Sequence, residues 1–115
     1  MSYDGQLMKG AVSIMVLKLL SENDRYGYQI IKELEQRSES VFLLNEGALY
    51  PVLHKLETDG NISSYWEENG GRKRKYYHIT QKGSLLCDSK QKEWQSFSST
   101  VNKVLGGFSY AKMYV

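Results

Sequence analysis

The residues of this chain best equipped for chemistry are cations and hydrogen-bonding side chains, not nucleophiles. Arg72-Lys73-Arg74-Lys75 is an unbroken basic run behind the turn signal Glu68-Asn69-Gly70-Gly71. A little upstream, Tyr50, His54, Lys55 and Thr58 fall on one side of the segment 45–60 if it is helical. Such groups donate to phosphate oxygens or touch base edges. Metal or acid–base chemistry has thinner support. His54 and Glu57 stand three apart on the same helix, half a metal site at best, while His78 and Cys87 stand alone. No glycine-rich phosphate loop follows a strand, and no nucleophile has a base beside it, so the reading is no enzyme, no metal and no cofactor.

The elements that position these groups can be read from periodicity. Leu49, Val52, Leu53 and Leu56 form an i, i+3, i+4, i+7 stripe, and Gly60 is a helix stop. Pro51 is harmless only in a first turn, so this helix either begins near Gly47 or Ala48 or bends there. The alternating stretch from Ile62 to Trp66, the turn, and the basic run into Tyr76-Tyr77-His78-Ile79 predict a β-hairpin. A groove-sized helix followed at once by a cationic hairpin is the pattern of a winged helix-turn-helix.

Upstream, Leu7 to Leu20 is apolar around nearly its whole circumference, which predicts a buried helix with one face on its own domain and another on a partner. Lys9, Ser13 and Lys18 interrupt it, it is too short to span a bilayer, and no small-residue cleavage site preceded by a charged region reads as a secretory signal. Ser21 to Asp24 reads as a turn with N-cap candidates. A second helix starts from Arg25, with Tyr28, Ile31 and Leu34 on one face and Gly27 permitting close packing in preference to a phosphate contact. The stretch from Arg37 to Leu44 connects it to the next helix.

From Thr80, an N-cap, the chain runs without a strong breaker to Leu105, and Gly106-Gly107 ends it. Cys87, Trp94, Phe97, Val101, Val104 and Phe108 repeat at threes and fours, with Lys90 in the polar slot, a heptad seam. Leu7 and Ala11 of the first helix join these as dimerisation residues. The fold class is therefore mainly α with a small two-stranded β wing. Residues 1–80 form the winged helix-turn-helix, 81–108 the dimerisation helix of the same compact unit, and 109–115 a tail.

Composition fits a small regulatory domain. The 115 residues, 41% hydrophobic and 24% charged, suffice for a single modest core. A net charge of +2 is too mild to argue for nucleic acid by itself, so the clustering of cations carries that inference. The one cysteine excludes an internal disulfide framework and suits a reducing cytoplasm.

Three ordered motifs also carry a family likeness. Tyr26-Gly27-Tyr28-Gln29-Ile30, Gly47-Ala48-Leu49-Tyr50-Pro51-Val52-Leu53 with Lys55-Leu56-Glu57 and Gly60, and Arg74-Lys75-Tyr76-Tyr77-His78-Ile79-Thr80 with Gly83 together resemble the PadR family of bacterial transcriptional regulators. The single C-terminal helix resembles its small subgroup. The sequence departs from the family pattern at His78 and in the abundance of cations in the wing. The resemblance implies a homodimeric repressor on a pseudo-palindromic operator in double-stranded DNA, its recognition helices one helical turn apart, roughly 34 Å. Tyr50 and His54 are then candidates for base edges and Ala48 for a thymine methyl. Lys55 and the start of the second helix with Tyr28 would hold phosphates, and Arg72, Lys73, Arg74 and Lys75 the flanking backbone or minor groove.

Trp94 admits two readings: a large seam residue, or one wall of a slot between paired indoles, where some small PadR-like regulators take planar aromatic compounds. Phe97, Met8 and Met15 are the candidate walls of such a slot. The alternative to DNA recognition is a winged-helix module that binds protein, whose affinity would hardly respond to salt.

Overall fold

The computed structural model describes residues 3–106, excepting the side chains of Gln6, Leu7 and Lys9. The elements run α1 (Gly5–Glu22), β1 (Arg25–Tyr26), α2 (Gly27–Arg37), α3 (Glu46–Thr58), β2 (Ile62–Asn69), β3 (Arg72–Ile79) and α4 (Gln81–Leu105). It is mainly helical with a small antiparallel sheet, a winged helix-turn-helix followed by a long C-terminal helix.

Helix α1 is the central post. Val12, Val16, Leu17, Leu19 and Leu20 are buried in one cluster with Ile30 and Leu34 of α2, Leu49, Leu53 and Leu56 of α3, Ile62, and Tyr77. The expected stripe on α3 holds, with Val52 packed at its margin. On α2 the buried pair is Ile30 and Leu34; Tyr28, expected on that apolar face, is more than half exposed. Nothing lies within 4 Å of where a Gly27 Cβ would sit, so close packing is not the reason for glycine there.

Helix α3 begins at Glu46, capped by Asn45, whose Oδ1 accepts the Ala48 N–H at 2.9 Å. Pro51 therefore lies inside the helix, past its first turn, and the Gly47 carbonyl has no i+4 N–H donor. The hairpin closes through Gly70 and Gly71, both with positive φ (62° and 80°), the two-residue geometry that glycine adopts without steric cost.

The expected two-stranded wing is a three-stranded sheet, ordered β1-β3-β2. Arg25 and Tyr26, read from sequence as the start of the second helix, instead pair with Tyr77 and Tyr76. The Tyr26 N–H donates to Gln29 Oε1 at 3.1 Å, and α2 starts at Gly27, two residues later than expected.

Helix α4 is set by close approach. Thr80 Oγ1 accepts the Gly83 N–H at 3.1 Å and donates to the Gly60 carbonyl at 2.7 Å. A Cβ on Gly83 would fall 1.9 Å from the Asn61 carbonyl oxygen, so only glycine fits. Gly106, at φ 67°, ends the helix.

The expectation for Cys87 is corrected: it is buried in the chain's own core and does not belong to an exposed seam. Further along, Trp94, Phe97 and Val104 are exposed and Val101 is partly so. The Leu7 side chain, Phe108 and the tail 109–115 lie outside the described residues.

Candidate nucleic-acid interface

A cleft of about 630 Å³ opens between the start of α2, the first turns of α3, and β3. Tyr28 and Tyr50 stand on its helical walls, and Arg72, Lys73, Arg74 and Lys75 on its strand wall. Tyr26, Gly27, Glu46, Leu49, Leu53 and Tyr77 complete it. Residues far apart in sequence thus meet around one open, cation-lined concavity. Ala48, His54 and Lys55 are outside its walls, exposed on α3.

On that helix, Tyr50 and His54 stack with ring centroids 6.1 Å apart and planes 21° apart. Lys55 reaches Asp59 at 3.1 Å with its side chain 76% exposed, a surface pair worth little and easily exchanged for another anion.

The basic run is not all at the hairpin tip, which is Gly70-Gly71. Arg74 lies over the Tyr26 ring at 4.4 Å, and Lys75 is 3.9 Å from Glu57 and 5.6 Å from the Tyr77 centroid. These two cations line the cleft from half-buried positions, whereas Arg72 and Lys73 are exposed beside the tip.

A clasp that the sequence hid ties the wing to the body. The Tyr65 hydroxyl donates to Asp24 Oδ2 at 2.7 Å, and His78 Nδ1 lies 2.7 Å from Asp24 Oδ1. Burial pushes the Asp24 carboxyl up, but the hydrogen bonds from Tyr65 and His78 and the nearby imidazole outweigh it and hold the group below its ordinary value. The Asp24 hydrogen bond pushes the Tyr65 phenol up to about 12. Behind α2, Arg37 joins Glu22 of α1 and Glu33 of α2, an ion pair bridging the two helices at the surface.

A second groove, about 620 Å³ and mostly apolar, runs between α1 and α4. Trp94 and Phe97 line it opposite Ala11, Ile14 and Leu17, with Lys90 and Glu93 also at its margin. Met8 and Met15, expected as walls beside Trp94, do not line it. They pack against the chain's own core and open onto other surfaces, Met15 beside Phe42 and Met8 beside Tyr3.

Among the described residues there is no grouping of three or more His, Cys, Asp or Glu able to hold a metal ion. Nor is any described helix long and apolar enough to cross a membrane.

Comparison with known proteins agrees with this architecture. The model of the transcriptional regulator PadR-like family matches residues 16–88. A transcriptional regulator from Clostridium thermocellum superposes with a TM-score of 0.81 at 33% identity, over 86% of this chain and 97% of that one. A PadR-like transcriptional regulator from Bacillus cereus gives 0.78 at 31% identity, over 90% and 100%. A transcriptional regulator of Mycobacterium tuberculosis is 28% identical over 91% of this chain and 92% of its own length. With the family model matching well over half of the chain, this chain belongs to the PadR-like family of transcriptional regulators, which are regulators of transcription and not enzymes.

Proposed function

We propose that this chain is a homodimeric repressor that reads a pseudo-palindromic operator through α3 and the wing. The observation that carries the reading is the cleft in which Tyr28, Tyr50 and four consecutive cations converge from three elements. Tyr50 and His54 meet base edges from the exposed face of α3, and Ala48 meets a thymine methyl. Lys55 exchanges Asp59 for a phosphate, and Tyr28 at the start of α2 takes another. Arg72 and Lys73 follow the flanking backbone into the minor groove, while Arg74 and Lys75 act from the cleft wall. Such a protein works in the cytoplasm, beside the DNA it regulates.

The second copy covers the apolar face of α4. Phe97 and Val104 are 63% and 82% exposed, a combination that a solitary helix would leave in water at a cost. Trp94 and Val101 complete the face, with Ala11 of α1 beside Trp94. A planar aromatic effector fits the α1–α4 groove against Trp94 and Phe97. Bound there, it relieves repression only by favouring a dimer geometry whose half-site spacing does not match the operator.

The test is fluorescence anisotropy with a labelled duplex from upstream of the protein's own gene beside a scrambled duplex, at two salt concentrations. Preference for the upstream duplex with a steep salt dependence is expected. Equal, feeble binding to both duplexes would instead favour a protein-binding winged helix, whose affinity for its partner would hardly respond to salt.

A further inference from the structure

The chain has two tryptophans, and only Trp94 lies in the α1–α4 groove. Trp66, on β2, is 66% exposed. The strand register sets Trp66 opposite Lys75, Ser64 opposite Tyr77 and Glu68 opposite Lys73, and residues so paired share a face of the sheet. That face is the one turned to α3: Ser64 donates to Glu57, and Lys75 approaches the same carboxylate. The opposite face has already satisfied its aromatic residues, with Tyr65 stacked on Tyr76 at 5.7 Å and Tyr26 edge-on to Tyr76 at 5.4 Å. Trp66 is therefore an indole left in water on the recognition-helix side of the wing, opposite Lys75 and diagonal to Lys73.

We infer that Trp66 is a DNA-contacting residue of the wing: its indole packs on the deoxyribose wall beside the half-site while Lys73 holds the adjacent phosphate. The match is one of alternation. A nucleic-acid backbone presents apolar sugar and anionic phosphate in turn, as this face presents indole and ammonium. An apolar protein surface would have to desolvate Lys73 and Lys75 to reach the same ring. Glu68, the one carboxylate of the hairpin on that face, stands opposite Lys73, and Glu57 of α3 lies 3.9 Å from Lys75, so a phosphate competes with carboxylates for both lysines. The indole reads no base identity, so it strengthens binding to any duplex.

This inference rests on the DNA-binding reading, and the test separates the two. The full chain is titrated with labelled upstream and scrambled duplexes by anisotropy, and with unlabelled duplex by tryptophan emission. Trp66→Ala is expected to bind both duplexes about tenfold more weakly, the loss of one buried aromatic surface, with the salt slope unchanged. Lys73→Gln instead lowers the slope by about 0.9 for each phosphate it no longer neutralises. Trp66→Phe keeps most of the affinity but abolishes the part of the emission change that comes from Trp66. Binding by Trp66→Ala equal to wild type, or an emission change identical in wild type and Trp66→Phe, overturns the role of Trp66 while leaving DNA binding in place. Failure of the wild type to bind any duplex overturns both.

Discussion

Two single positions decide how the wing is held. Gly83 meets the Asn61 carbonyl so closely that even a methyl group must push α4 off the end of β2. Gly83→Ala should lower stability by about 1–3 kcal/mol, the usual cost of overpacking, in a urea melt. Asp24 is the other. Its carboxyl titrates lower in the folded chain than its ordinary value of 3.8, so its contribution is complete above that value and is lost as the pH falls through the folded value. Tyr65 acts in the opposite sense: raised to about 12 from 10.0, it contributes below pH 10 and loses that contribution as the pH climbs toward 12. Urea midpoints measured from acid to alkaline pH should show both limbs. Asp24→Asn should flatten the acid limb, and Tyr65→Phe the alkaline one. None of this is visible in the sequence, because Asp24 finds its partners 41 and 54 residues away. Read locally, it is only a turn residue.

At the scale of elements, periodicity serves where one face of a helix meets one core. The α3 stripe, the Thr80 cap, the two-glycine hairpin and the Gly106 stop all follow local rules and all hold. What fails are assignments that need a neighbour. A two-residue strand has no period to detect, so β1 reads as the start of α2. The spacing on α4 is real, yet spacing does not say which molecule covers each position. Its first turns are covered by the chain's own core, hence Cys87 inside, and only the later turns are left bare. The same ambiguity on α1 puts Met8 and Met15 beside Trp94, although the α1 residues across the groove from it are Ala11, Ile14 and Leu17. The recognition-helix candidates are legible because an exposed face is the complement of a buried stripe. The cleft that joins them to the wing depends on tertiary packing and is not. If the bare turns are the dimer seam, Val104→Lys places a charge there with little cost to the single chain, since Val104 is 82% exposed. Sedimentation should show self-association weakened at least about tenfold, as expected for burying an unpaired ammonium, with the melt of the monomer unchanged.

For the whole molecule, the proposed dimer would couple self-association to DNA recognition through geometry. If two winged helices are joined through α4 they read half-sites only at a fixed separation, so inserting half a helical turn, about five base pairs, between half-sites should turn one reader away and weaken binding by a factor of about 100 or more. Electrophoretic mobility shifts on a spacing series would measure this, and a flat series would mean that the two copies bind independently. Net charge is only +2, so a field that draws DNA comes from the clustering of cations in the wing and not from the total. That placement can be measured directly as the slope of log affinity against log salt for the wild type and for the Arg72→Gln, Lys73→Gln double variant, whose side chains are exposed beside the tip of the wing. Expected is a steep slope in the wild type, reduced in the variant by about 0.9 for each phosphate no longer neutralised and by twice that for a dimer. An unchanged slope and affinity in the variant would place the DNA on some other surface and contradict the DNA-binding role of the wing and its cleft.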